Sequence, residues 1–471
     1  MFKSIVFSFI ILFSSFHSIC QKLELVELSN TDGAASLQKV ISIGESTIVV
    51  VRTEIIKGPG GEKHIVDVID EGEIKRYELT SQLEKGYKIK EVFKFNDKVL
   101  FISMKTSRED RKEVFAGQFL DLQTGKLNAP IELFRTEIEK TILNNVTNVT
   151  LSCSPNGKFL GVLYPNNQNL ETNNILSFKT FNADLEQHYS ITESLNQPIG
   201  NTYIEQFIVD NVGRSHFLFK NYEKSRTKIY ISEDYSFFLY SFNDKGKLFD
   251  GVFFKEHPLS SVVIEVLNND NIILAGLTGV YSKNLFGAVG VKAFKISSDN
   301  GEVETLIDSK LTPEYISQRV STSKSISKDG GIYRLGNGKI IVHNDESFSV
   351  VFQQHESDLG YGDFLVSTHK EGSTHTHLIP RSYISTKSNF ASMNGGLVSL
   401  LFIPEKTIFR QDLVFLNIDE EIKGVKVLSR EESIAIKYSP DNIEAFDNKK
   451  KIVFYAKKTN IESYLIILSV E

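Results

Sequence analysis

Three histidines, His369, His375 and His377, fall within nine residues, with His355 and Asp363 a short way upstream. Imidazole ligates zinc and copper, and two or three on one face can form a metal site. On an extended strand His375 and His377 point the same way, because side chains alternate with a period of two. A hairpin turn at Lys370-Glu371-Gly372 brings His369 back toward one of them. These three are the candidate metal ligands. The competing reading is a polar outer strand carrying solvent-exposed histidines. No carboxylate stands between His375 and His377 to act as a general base, so hydrolysis at this place is not implied.

Other chemistry is sparse. The sequence contains no convincing nucleophile elbow, zincin helix, phosphate loop or calcium loop. Gly58-Pro59-Gly60-Gly61 precedes a strand pattern and cannot present a helix N-terminus to phosphate. Asp299-Asn300-Gly301 and Asp419-Glu420-Glu421 lack the ligand spacing of a calcium loop and read as hairpin tips. Glu137 with Glu139 and Glu431 with Glu432 read as solvated charged faces. Cys153 lies on an alternating strand and reads as a small core residue. No catalytic residue and no cofactor is assigned.

The elements that must hold these residues are short strands separated by turns. Phe and Tyr are frequent (34 and 17 of 471 residues) and Trp is absent, a composition that favours strands over helices. Hairpins are predicted around Asn96-Asp97, Pro155-Asn156-Gly157, Asn268 to Asn271, Gly336-Asn337-Gly338 and Asp447-Asn448. With weaker examples, such turns fall near residues 44, 96, 156, 211, 269, 337, 394 and 447. That spacing is close to the period of about 50 that a four-stranded propeller blade requires. A second series alternates with it at 70–72, 123–125, 182–184, 243–246, 299–301, 370–372 and 419–421. Each unit therefore holds two hairpins and four strands. The last unit has only three strands, and Leu23 to Leu28 forms a lone strand near the other end. Pairing the two closes a ring and removes exposed sheet edges. The expected fold is all-β, a single β-propeller of about eight blades over residues 21–471, with seven as the alternative count. Thr305 to Ser327 is irregular and is expected to carry a short helix or loop.

Residues 1–20 read as a secretory signal peptide. Lys3 supplies the positive region, Ile5 to Phe16 the apolar run, and Ser18 and Cys20 a small-residue cleavage site before Gln21. The run is shorter than the roughly 20 residues of a membrane span, and no transmembrane segment is expected elsewhere. A lipid anchor at Cys20 is disfavoured, because His17 and bulky Ile19 stand where a lipoprotein signal carries Leu and a small residue. An exported location follows, in the periplasm, at the outer-membrane surface or outside the cell. After cleavage Cys153 is a single thiol, so core burial and not an internal disulfide must stabilise the fold. The formal net charge of −6, with basic residues scattered among acidic ones, argues against a nucleic-acid partner.

The stretch Val149 to Ile191 resembles a blade of the tryptophan–aspartate-type repeats. It carries Ser154-Pro155-Asn156-Gly157-Lys158 between two strands, then Phe178-Lys179-Thr180-Phe181-Asn182 before a turn. The Trp-Asp pair itself is missing. Asn271 to Gly276, Gly287 to Ile296, Gly362-Asp363-Phe364-Leu365, Lys370-Glu371-Gly372 and Leu378-Ile379-Pro380 resemble a family of uncharacterised exported propeller-like proteins of Gram-negative bacteria. That resemblance implies a fold and an envelope or extracellular location, and no particular activity. The function expected from the sequence is a non-catalytic binding or scaffold propeller with a protein or glycan partner. The alternative is a propeller hydrolase acting on a glycan, with carboxylates contributed by different blades.

Overall fold

The computed structural model describes residues 21–29, 35–44, 46–55, 62–80, 82–83, 86–107, 109–137, 149–165, 174–195, 202–222, 235–254, 259–282, 285–320, 326, 330–343, 347–356, 360–379, 391–392, 398–402, 414–418, 422–426, 437–446, 451–457 and 462–470. Those residues form a nearly all-β chain of consecutive antiparallel sheets. The first sheet is Ala35–Ile43, Thr47–Ile55, Glu62–Asp70 and Glu73–Glu78, in chain order. The second is Tyr87–Phe95, Lys98–Ser107, Lys112–Asp121 and Ile131–Glu137, with Lys126–Leu127 added beside its third strand. The third is Thr150–Cys153, Leu160–Pro165, Asn174–Phe181 and Gln187–Leu195. The fourth is Thr202–Val209, Ser215–Tyr222, Tyr235–Asn243 and Gly246–Phe254. The fifth is Leu259–Val266, Ile272–Ser282, Leu285–Ile296 and Val303–Lys310, joined by Ile332–Tyr333. The sixth is Leu335–Val342, Phe348–Glu356, Gly360–Lys370 and Ser373–Ile379.

Two further sheets follow. One holds Ala391–Ser392, Val398–Phe402, Val414–Ile418 and Ile422–Lys426. In the other, Lys437–Phe446, Lys451–Lys457 and Glu462–Val470 are completed by Gln21–Ser29, which pairs antiparallel with Glu462–Val470. The leading strand of the first sheet lies against the leading strands of both the second and the last sheet. The leading strands of the third to sixth sheets lie against one another in turn.

The core lies between sheets, and middle strands such as Glu62–Asp70 and Lys98–Ser107 bury both faces. Ile41, Val49, Val51, Val66 and Val68 of the first sheet pack on Val92, Val99, Phe101 and Leu120 of the second. The opposite face of the first sheet, with Val40, Ile48 and Val50, packs on Val26, Leu28 and Leu465 of the last. This two-sided burial is why Ile48 to Val51 and Val99 to Ile102 are continuous apolar runs and not simple alternations. Between the third and fourth sheets the packing is aromatic. The Phe217 ring lies 4.7 Å from Phe207, 4.8 Å from Phe178 and 5.8 Å from Phe242. Burying each such ring stabilises the fold by about 1.5–3 kcal/mol.

In a four-stranded meander the first and third turns share one end, and the second turn and the link to the next sheet share the other. The tight turns after Ile43, Asp70, Phe95, Asn243 and Lys370 fall at the first end. The connections from Pro165 to Asn174, Tyr222 to Tyr235, Lys310 to Leu335, Ile379 to Ala391 and Phe402 to Val414 fall at the second. The tight-turn end is laced by hydrogen bonds from sheet to sheet. The Asn96 amide donates to the Gly157 carbonyl at 2.7 Å. The Asn156 amide donates to Asn211 Oδ1 at 2.8 Å, and Asn156 Nδ2 to the Asn211 carbonyl at 2.9 Å. The Asn211 amide then donates to Asp270 Oδ1 at 3.1 Å, and Asn268 Nδ2 to the His343 carbonyl at 3.2 Å. Asn and Asp serve here because they tolerate turn geometry and carry a hydrogen-bonding group on a short stem.

Two details differ from the sequence reading. Gly336-Asn337-Gly338 is not a turn, since Leu335–Val342 runs through it as one strand with a bulge, and the hairpin turn falls at 343–347. The irregular stretch is part strand, Val303–Lys310, and part helix, Pro313–Arg319, which Thr312 caps by accepting the Tyr315 amide. The signal segment with Cys20, the glycines at 58–61, Glu139, the turn at 419–421, Glu431 and Glu432 lie outside the described residues.

Candidate functional site

The three histidines do not converge. In the pairing of Gly360–Lys370 with Ser373–Ile379, Thr368 faces His375, His369 faces Thr374 and Val366 faces His377. Cross-strand partners share a face, so His375 and His377 share one face and His369 takes the other. His369 packs toward the fifth sheet. Its ring lies 5.6 Å from Phe348, and its Nδ1 is 3.3 Å from Thr374 Oγ1, which donates to the Leu306 carbonyl. Burial lowers its pKa, with Glu304 and Lys295 acting in opposite senses. Among the described residues no three His, Cys, Asp or Glu side chains come together as metal ligands. The acidic turn residue Asp299 instead accepts a hydrogen bond from Arg214 Nη1.

A constellation that the sequence reading missed lies in the fourth sheet. His216 Nε2 is 3.2 Å from Asp210 Oδ2, and His216 Nδ1 is 2.7 Å from Ser241 Oγ. Hydroxyl, imidazole and carboxylate in line have the form of a nucleophile relay. All three are fully buried beneath the tight-turn end, so no substrate reaches the hydroxyl. Arg214 Nε also donates to Asp210 Oδ2 at 2.5 Å, and Asp210 Oδ1 accepts the amides of Val212 and Arg214. Burial acts to raise the Asp210 pKa, but hydrogen bonds and charge from His216 and Arg214 outweigh it and hold the carboxyl below its ordinary range. The sixth sheet repeats the device, with His343 Nε2 2.9 Å from Ser349 Oγ and Ser349 Oγ 2.8 Å from Thr368 Oγ1. Recurrence at equivalent turns marks both networks as staples of the inner hairpin. Cys153 is inert as well, because burial pushes its thiol up to about 12.

Two carboxylates stand differently. The leading strands of the fourth and fifth sheets are joined by a two-bond clamp. Gln206 Nε2 donates to the Ile264 carbonyl at 2.8 Å, and the Ile264 amide donates to Gln206 Oε1 at 2.9 Å. Glu205 precedes one partner and Glu265 follows the other. Glu205 is the extra residue of a bulge between Ile204 and Gln206 and is exposed. Burial raises the Glu265 pKa, against a hydrogen bond from the Val266 amide and the charge of Lys339. Glu265, with a raised pKa, and Glu205, open to solvent, thus sit on adjacent leading strands in the contrasting environments that acid–base chemistry uses.

At the long-connection end of the same fourth sheet lies an aromatic cluster with a lysine. Lys220 Nζ is 4.1 Å from the Tyr235 ring centroid, 4.9 Å from Tyr222 and 5.6 Å from Phe237. Tyr203 stands 5.9 Å from Tyr222. The register places Tyr203 opposite Lys220, Lys220 opposite Phe237 and Tyr222 opposite Tyr235, so all five share one face. The signal in the sequence was the aromatic residues at 203, 222 and 235, which flank strand ends beside a long connection.

No family model and no curated relative matches this chain. Among solved structures it is similar to the β-propeller domain of the Trilobed protease from Pyrococcus furiosus, at 12% identity and a TM-score of 0.42, covering 85% of this chain and 98% of that one. It is similar to the polysaccharide lyase Uly1, at 10% identity and a TM-score of 0.42, covering 94% and 100%. It is also similar to an ulvan lyase of a new polysaccharide lyase family, at 12% identity and a TM-score of 0.40, covering 94% and 96%. These are likenesses of β-propeller architecture. They correct the expectation of a non-catalytic scaffold. The solved structures named here include polysaccharide lyases, a glycoside hydrolase and peptidases.

Proposed function

We propose that this chain is an exported hydrolase acting on a glycan, built on a closed eight-bladed propeller and entered from the end with the long connections. The observation that carries this reading is the Glu205 and Glu265 pair astride the clamp between two leading strands. Glycosidic hydrolysis needs one carboxyl to protonate the leaving oxygen and a second to act on the opposite face of the sugar. Glu265, whose pKa burial raises, is the general acid. Glu205, on the exposed bulge, supplies the second carboxylate. The closed ring is supported by the contact between the leading strands of the first and last sheets, and by the Gln21–Ser29 strand that completes the last sheet. Export is supported by Lys3, the apolar run Ile5 to Phe16 and the small-residue site before Gln21.

The test is an assay of residues 21–471 for new reducing ends on a panel of soluble neutral and acidic polysaccharides. Turnover that Glu265→Gln abolishes without lowering the melting temperature supports the reading. No turnover on any glycan, or full turnover by the variant, rejects it. Products with an unsaturated end reassign the chemistry to elimination.

A further inference from the structure

We infer that Tyr203, Lys220, Tyr222 and Tyr235 form a subsite for an anionic sugar, which makes the substrate an acidic polysaccharide. This rests on the glycan-cleaving reading for its place in a reaction, but the subsite itself rests on separate residues. The Lys220 ammonium is held by aromatic faces and forms no ion pair with a carboxylate among the described residues. Cation–π attraction positions an ammonium without neutralising it, so its charge and N–H donors remain available. The four residues are each partly exposed. The tyrosine rings offer faces on which the apolar side of a pyranose can stack. Tyr235 is fixed by donating its hydroxyl to the Leu259 carbonyl of the fifth sheet at 2.7 Å.

The position suits a subsite. Tyr203 lies two residues before Glu205 on the same strand, a rise of about 7 Å in extended backbone. A saccharide chain stacked on the tyrosines thus continues toward the proposed carboxylate pair. Neither nucleic acid nor a neutral sugar matches the site as well. A nucleic-acid strand needs several phosphate contacts where this cluster offers one ammonium, and a neutral sugar leaves that ammonium without an anionic partner. A carboxylated or a sulfated sugar supplies that partner equally, and both are anions on a pyranose.

The experiment is affinity electrophoresis of residues 21–471 through gels containing dextran, dextran sulfate or alginate. Dextran and dextran sulfate share a backbone and differ in charge, and alginate replaces sulfate with carboxylate. The expected result is retardation by one or both acidic polymers and none by dextran, with at least a tenfold loss of affinity in Lys220→Met. Methionine preserves the apolar stem against the rings and removes the charge, so a lysine that only packs would leave binding unchanged. Retardation by dextran equal to that by the acidic polymers, or unchanged binding by Lys220→Met, overturns the subsite. Binding that depends on Lys220 without any cleavage rejects the hydrolase reading and leaves the subsite standing. Cleavage of a neutral glycan that Lys220→Met does not impair rejects the subsite and leaves the hydrolase reading standing.

Discussion

Gln206 and Ile264 are joined by two hydrogen bonds, one in each direction between a side-chain amide and a backbone peptide, across the boundary of the fourth and fifth sheets. Their neighbours Glu205 and Glu265 are thereby set on adjacent leading strands at a fixed offset. Gln206→Ala removes both bonds and leaves the Ile264 peptide to find water. The expected loss is about 1–3 kcal/mol, read as a shift of the urea midpoint. Because the same change frees the offset between the carboxylates, turnover should fall further than the lost fraction of folded protein accounts for. A stability loss with activity intact would separate the clamp from the chemistry.

Asp210 makes the fold acid-sensitive. Its folded pKa lies below the ordinary 3.8, so its contribution to stability is fully present above the unfolded value and is lost as pH falls through the folded one. Asp210→Asn should flatten the melting-temperature profile below that range. At neutral pH the variant should lose about 3 kcal/mol, because Arg214 and His216 are left without their shared carboxylate. A profile as steep as that of the parent would show that other carboxylates dominate acid unfolding.

Gly125 tests a contact between the first and second sheets. Its φ is +66°, and a Cβ there would lie 1.9 Å from Tyr77 Cδ1. The Tyr77 hydroxyl donates to the Gln123 carbonyl at 2.9 Å. Gly125→Ala must displace that ring as well as strain the backbone, and roughly 2–4 kcal/mol of destabilisation is expected. Gly72→Ala, with φ +88° and no atom within 4 Å of the new Cβ, carries only the backbone strain of about 1 kcal/mol. Equal midpoints for the two variants would contradict the Tyr77 contact.

The Cys153 thiol, pushed up to about 12, is almost entirely protonated at neutral pH. Alkylation by iodoacetamide should be negligible in the folded protein and complete once it is unfolded in guanidinium, with intact mass as the readout. Fast labelling of the native chain would mean that the third sheet opens locally.

Much of the fold was legible in the chain because turn chemistry and strand periodicity are local properties. The turns at Asn96-Asp97, Asn156-Gly157 and Asn182-Ala183-Asp184 are where composition places them, between strands of the predicted lengths. Gly336-Asn337-Gly338 misled for a specific reason. Gly338 is demanded by packing, since a Cβ there would lie 2.6 Å from the Phe352 ring and 3.1 Å from Val263. Glycine required by close approach cannot be told in a sequence from glycine required by a turn.

By itself the sequence determined the strand rhythm, the two alternating series of turns and the all-β class, because each depends on residues within a few positions of one another. It also determined that His375 and His377 share a face, which follows from alternation along one strand. Only the tertiary structure decided that His369 turns away from them, because that depends on cross-strand register. It alone joined Asp210 to Ser241 through His216, Lys220 to Tyr235, and Gln206 to Ile264. Each of these relationships forms across paired strands or packed sheets, where residues far apart in the chain meet through register and burial that no local pattern encodes.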